Sequence, residues 1–106
     1  MIRVAIERDD QGRIWGFRAQ GHAGAGPKGS DIVCAAVSVL TDSVYLGLEN
    51  HLQRAMICNA DSGNISVSLQ DEPDNMTEAI LMTMVLGLSE IQKIHPDKLR
   101  ISEIRR

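Results

Sequence analysis

The chain has 106 residues, 43% of them hydrophobic and 24% charged. That is the length of one domain and a globular composition, which excludes wholesale disorder and leaves no room for a second core. Eleven Lys and Arg against fourteen Asp and Glu leave a formal charge of −3, which argues against a general nucleic-acid binder and permits a basic peptide partner.

The start, Met1 to Glu7, carries no signal-peptide core, and no apolar run is expected to reach the ~18 residues of a membrane span. With Cys34 and Cys58 as the two cysteines, the expectation is reduced thiols and a cytoplasmic protein.

In chain order, Ile2, Val4 and Ile6 alternate with Arg3, Ala5 and Glu7, which predicts a strand with one buried face. Asp9 to Arg13 reads as a turn, and Trp15, Phe17 and Ala19 alternate in a second strand, giving an antiparallel hairpin. Trp15 and Phe17 are expected to anchor the core together. Residues 21–30 hold four glycines and a proline, which forbid regular structure. A helix follows, capped by Asp31. Its apolar stripe is Val33, Val37, Leu40, Val44 and Leu48, and a separate polar stripe holds Cys34, Ser38, Thr41 and Tyr45. The helix is expected to end near Asn50 or His51.

Ala55 to Asn59 reads as a third strand, residues 61–64 as a turn, and Ile65, Val67 and Leu69 as a fourth strand. Asn75 with Glu78 resembles a capping box opening a second helix, whose apolar face is Ile80, Leu81, Met84, Leu88 and Ile91. Pro96 stops it, and Leu99 and Ile101 mark a closing strand. The order is ββαββαβ. The expected fold is α+β, a two-layer sandwich of a mainly antiparallel or mixed five-stranded sheet with two helices, as one domain over 1–106.

His22 lies where the second strand runs out, and Cys34 lies in the first turn of the next helix, twelve residues on. A glycine-rich loop of that length can bring its ends together. The helix start favours a thiolate through its partial positive charge and its unpaired amides, and an imidazolium beside it favours the thiolate further. The same amides are candidates to hold a developing oxyanion. Ser38 shares the face of Cys34 one turn on. Asp31 has two readings, helix cap or orienter of His22, with the cap favoured. Taken singly, a helical cysteine is usually a core residue and a histidine at a strand end a surface one; the pair bracketing a loop carries the signal.

Gly24 to Gly29 also spells G-x-G-x-x-G. The preceding hairpin makes the sheet antiparallel and Pro27 lacks an amide, so a nucleotide cradle is the weaker reading. His22, Cys34, His51 and Cys58 have no metal-ligand spacing, so no metal and no cofactor are expected. Cys58 reads as core, and His51 and His95 as helix-end residues. The acidic residues Asp71, Glu72, Asp74 and Glu78 read as a solvated loop, or alternatively as a docking surface for a basic peptide.

Gly21-His22-Ala23-Gly24, followed by Gly29-Ser30-Asp31-Ile32-Val33-Cys34-Ala35-Ala36-Val37-Ser38, closely resembles the ribosomal-processing cysteine proteases of bacteria. The resemblance extends over the whole chain through its length and element order. It implies an endopeptidase that removes a short N-terminal extension from a large-subunit ribosomal protein. It maps the catalytic pair onto Cys34 and His22, and the supporting residues onto Asp31 and Ser38. It also implies a homodimer and a flexible loop over the site, matched here by residues 23–30; Gly21, Ala23, Gly24, Gly26, Lys28 and Gly29 are the candidate substrate-loop residues. The expected partner is that ribosomal protein's N-terminal peptide, with no direct nucleic-acid contact and no membrane. The competing class is a non-enzymatic, ribosome-associated binding module whose loop grips nucleotide or RNA.

Overall fold

Alternation in β1 (Ile2–Arg8) is realised as expected: Ile2, Val4 and Ile6 are buried, while Arg3 is exposed. In the computed structural model, which describes residues 1–21, 31–61 and 63–106, β1 pairs antiparallel with β2 (Ile14–Gln20). The Asp9 carboxylate closes the turn between them by accepting the amides of Gln11 and Arg13, and Gly12 supplies a left-handed backbone at φ +79°.

Helix α1 (Ile32–Leu46) follows, extended by one π-helical turn over Gly47–His51 that the Leu52 amide closes on the Gly47 carbonyl at 3.0 Å. Then come β3 (Met56–Asp61), β4 (Asn64–Leu69), α2 (Asn75–Ile94) and β5 (Leu99–Arg105). The sheet order is β3-β4-β2-β1-β5, with β5 parallel to β1 and the other neighbours antiparallel. The fold is the expected α+β sandwich. Register places Val4 opposite Ala19, Ile6 opposite Phe17 and Phe17 opposite Val67 on one face, where they meet Val33, Val37, Leu48, Leu81, Met84 and Leu88 of the helical layer. Each fully buried aliphatic or aromatic side chain contributes roughly 1.5–3 kcal/mol to that layer's attachment.

Two sequence expectations are corrected here. Trp15 does not anchor the core beside Phe17. Glu7 pairs with Gly16 but Arg8 with Ile14, so Trp15 is an extra residue on β2, a bulge that reverses the facing of everything before it. Ile14 takes the core position, fully buried; Trp15 is half-buried outside, its indole N–H on Asp9 and the Arg106 guanidinium 4.0 Å above its ring. The second helix is capped by Asp74, not Asn75. Its carboxylate accepts from the Met76 and Thr77 amides, and the Thr77 hydroxyl closes the box by accepting the Asp74 amide. Glu78 instead accepts the Ile14 amide at 2.9 Å, tying α2 to β2 at the bulge. The acidic loop is also partly spoken for: Asp74 pairs with Arg54, and Glu72 lies 3.8 Å from Arg13.

The run Ile32–His51 is twenty residues long with mean hydropathy 1.5, long and apolar enough to cross a bilayer. The sequence expectation of no such run is corrected to that extent. Its Val33, Val37, Val44 and Leu48 stripe is nevertheless buried in the core, which accounts for the apolarity on that side. Leu40, expected in the same stripe, is half-buried against α2, where a Cβ on Gly87 would approach it to 3.1 Å.

Two substitutions test these joints. A Cβ at Gly16 would overlap the Val67 carbonyl oxygen and stand 3.0 Å from the Ser68 Cα, so Gly16→Ala must push β2 from β4. We expect a loss of roughly 1–3 kcal/mol in urea denaturation. The hydrogen bond from Arg54, then that from the Thr77 amide, holds the Asp74 carboxyl below its ordinary 3.8. Its charge therefore stabilises the fold above pH 3.8 and stops doing so as pH falls through the lower folded value. The stability gap between wild type and Asp74→Asn should be constant from pH 7 to 5 and close below about pH 4.

Candidate active site

Strand β2 ends at Gln20, and Gly21 turns the chain away at φ +95°. Its amide donates to the Gly63 carbonyl at 3.0 Å, which ties the exit of β2 to the tip of the β3–β4 hairpin. Glycine is required there, since an ideal Cβ would sit 2.6 Å from the Met1 carbonyl oxygen. His22 and the expected loop residues Ala23, Gly24, Gly26, Lys28 and Gly29 lie outside the described residues, as does the His22 to Cys34 geometry.

The chain is described again from Asp31, which caps α1: its Oδ1 accepts the amides of Val33 at 3.0 Å and Cys34 at 3.1 Å. This supports the cap reading of Asp31. It also revises the oxyanion expectation, because those two first-turn amides end on the Asp31 carboxylate and the Ala35 amide ends on the Asp31 carbonyl.

The cap fixes the phase of the helix. Val33 points into the core, 2% exposed, and Cys34, one residue on, is rotated to its border. The thiol is half-buried and lines a cleft of about 290 Å³. One wall is α1, through Cys34, Ser38, Thr41 and Asp42; the other is the hairpin tip, through Asp61, Gly63 and Asn64. Ser38 is exposed one turn from Cys34, as expected. Thr41 is buried, and its hydroxyl donates to the Val37 and Ser38 carbonyls, so it belongs to the cleft floor and cannot serve as a donor to substrate.

The hairpin wall was not visible in the sequence, where residues 61–64 read as a turn alone. The Asn64 side-chain Nδ2 donates to Asp61 Oδ1 at 3.2 Å, closing the tip. Asp42 and Asp61 bring two carboxylates to the cleft, and no Lys or Arg stands among its described lining residues. Such a cleft suits a cationic side chain and repels phosphate, which weighs against the nucleotide-gripping reading.

The second thiol behaves differently. Burial, and after it the Glu49 carboxylate, pushes Cys58 above its ordinary 9.0, so it is held as an inert thiol. Tyr45, the last member of the polar stripe, is pushed up to about 12, first by its hydrogen bond to Glu49. Among the described residues no three His, Cys, Asp or Glu side chains gather as metal ligands.

Comparison with known proteins identifies the family. Residues 1–100 match the family described as "Cysteine protease Prp". A ribosomal processing cysteine protease Prp of Staphylococcus aureus is 32% identical over 104 residues, 96% of this chain and 98% of that protein. A crystal structure of a ribosomal processing protease Prp from S. aureus with a covalently linked product peptide superposes with a TM-score of 0.92 at 26% identity, over 98% of this chain and all of that one. A Streptococcus mutans protein of known structure matches at a TM-score of 0.84 and 25% identity, over 100% of this chain and 96% of that one. The chain belongs to the Prp family of cysteine proteases.

Proposed function

We propose that this cysteine protease is an endopeptidase that removes a short N-terminal extension from a large-subunit ribosomal protein, with Cys34 as nucleophile and His22 as general base. The observation that carries the reading is the half-buried thiol in the first turn of α1, facing a peptide-sized cleft. The ribosomal processing role of the S. aureus relatives, one of them solved with a covalently linked product peptide, supports the choice of substrate. The carboxylates of Asp42 and Asp61 favour a tail carrying Lys or Arg.

In this mechanism His22 accepts the Cys34 proton, and Sγ bonds to the scissile carbonyl carbon. The tetrahedral intermediate forms over the positive end of α1. The C–N bond then breaks as His22 returns the proton to the leaving amine. Water, deprotonated by His22, hydrolyses the thioester and restores the thiol. Ser38 lines the path of the peptide, and Asp31 holds the first turn. We also propose a cytoplasmic homodimer. Ile32, Val39 and Leu46 recur every seven residues along α1 and are 70%, 65% and 50% exposed, an apolar stripe that a second copy would cover.

Cleavage of a peptide spanning the extension should fall ~10³-fold or more in Cys34→Ala. His22→Ala should lose turnover with its circular dichroism spectrum unchanged. Retained cleavage in Cys34→Ala would remove the mechanism. Iodoacetamide at pH 7 should label Cys34 and spare Cys58, read by peptide mapping; the opposite order would reverse the roles of the two thiols. Val39→Glu should shift the mass in light scattering from dimer to monomer, and a monomeric wild type would refute the homodimer.

A further inference from the structure

The sheet has a second face, which neither α1 nor α2 covers among the described residues. By register it carries Arg3, Arg18 and Arg100 on three adjacent strands. Arg3 lies beside Arg100 in the parallel β1–β5 pair, about 5 Å apart at the backbone. Arg3 faces Gln20 across the β1–β2 pair, which puts Arg18 on its diagonal, about 7–8 Å away. All three are exposed, and none makes an ion pair with any described residue. The acids sharing this face, Glu7 and Asp61, are not bonded to them either.

Like charges side by side on neighbouring strands destabilise a sheet unless something offsets them. Every other arginine of β1, β2 and the turn between them has a local carboxylate: Arg8 pairs with Glu103, and Arg13 with Asp9. The three on the open face are the exception. Directly across from them the positions are small or neutral and polar, Ser66 and Ala5 flanking Arg18 and Gln20 facing Arg3, while Glu7 lies diagonal to Arg18 and Asp61 lines the same shallow depression as Arg18. Hydroxyl and amide donors among guanidinium forks are the lining that a row of phosphates needs.

We propose that this open face binds the phosphate backbone of RNA. The guanidiniums stand at spacings a polynucleotide strand can follow, and arginine binds phosphate through two parallel hydrogen bonds. The net charge of −3 argues against general nucleic-acid binding, but not against a local patch of arginines. At physiological salt, charges more than about 8 Å away are screened, so a bound strand responds to the face it touches. Preferring RNA to an acidic protein rests on the reading of the substrate as a ribosomal protein. The Cys34 cleft meets the open face at the end of β2, where Gln20, Asp61 and Asn64 line it, but Arg3, Arg18 and Arg100 lie outside the cleft lining, so one strand of RNA and one peptide can be held together.

The test is fluorescence anisotropy with a labelled 20-nucleotide single-stranded RNA of mixed sequence, on the full chain. Three phosphate contacts predict a slope of log affinity against log salt near −2, or roughly a sixteen-fold loss between 50 and 200 mM. The triple variant Arg3→Gln, Arg18→Gln, Arg100→Gln should bind about ten-fold or more weakly at 50 mM salt, yet cleave the free peptide at the wild-type rate. Equal RNA binding by wild type and triple variant would overturn the proposal, as would no binding at 50 mM salt. Equally tight binding of a polyglutamate peptide would assign the face to an acidic protein and overturn the RNA claim. Single variants at the three positions repeat the comparison if the triple variant misfolds. RNA binding without peptide cleavage would leave this proposal standing and remove the substrate reading instead.

Discussion

The Asp31 carboxylate decides which way Cys34, the proposed nucleophile, faces. By accepting the Val33 and Cys34 amides it fixes where the helical phase of α1 begins. Once the phase is set, burying Val33, Val37, Val44 and Leu48 against the sheet leaves Cys34 and Ser38 no orientation but the cleft. A start one residue later would rotate each side chain by about 100° and carry Cys34 toward the core and Val33 toward the water. The cap is local, but the packing of both layers enforces it, since the stripe it aligns is the one that holds α1 to β1 and β2.

That cap carries a chemical consequence. Two amides that a helix start ordinarily offers to an anion are already satisfied by a carboxylate, whose own negative charge sits at the same terminus. The positive end of α1 therefore acts on the sulfur less strongly than a bare terminus would. In the proposed mechanism more of the activation therefore has to come from His22, which makes the proposed nucleophile and its base more interdependent than a dipole argument alone implies. The contrast with Cys58 makes the same point from the other side. That thiol has burial and a nearby carboxylate, both of which oppose ionisation.

Periodicity made the element order legible, because two-residue and helical repeats report which face is buried. Ile2, Val4 and Ile6 alternate without interruption, and the α1 stripe is regular. The hidden parts were those that break or ignore the repeat. The bulge at Trp15 inserts one residue, and a pattern reader sees an aromatic at the right parity and places it inside; only the pairing of Arg8 with Ile14 shows that the parity has flipped. The start of α2 was misplaced by one residue because Asp74, Asn75, Thr77 and Glu78 all have capping chemistry. Which one caps depends on where Arg54, in the connection before β3, and Ile14, on β2, arrive. The far wall of the cleft was invisible for a related reason. Asp61, Gly63 and Asn64 are ordinary turn residues, and they join Cys34 only because sheet order brings the hairpin tip beside the exit of β2.

Strand β2 is where the two faces of the molecule meet. It sits at the centre of the sheet, so Phe17 and Ala19 are buried under the helices while Arg18 and Gln20 face the other way. Its exit at Gly21 is held by Gly63 on one side and crowded by Met1 on the other. A small shift of β2 along its axis would therefore move a wall of the cleft and the row of arginines together. Central strands paired on both sides resist such shifts, because every ladder hydrogen bond on either flank must change at once. The rigidity that keeps the cleft in register is thus also what keeps the opposite face flat, with its charges in fixed rows.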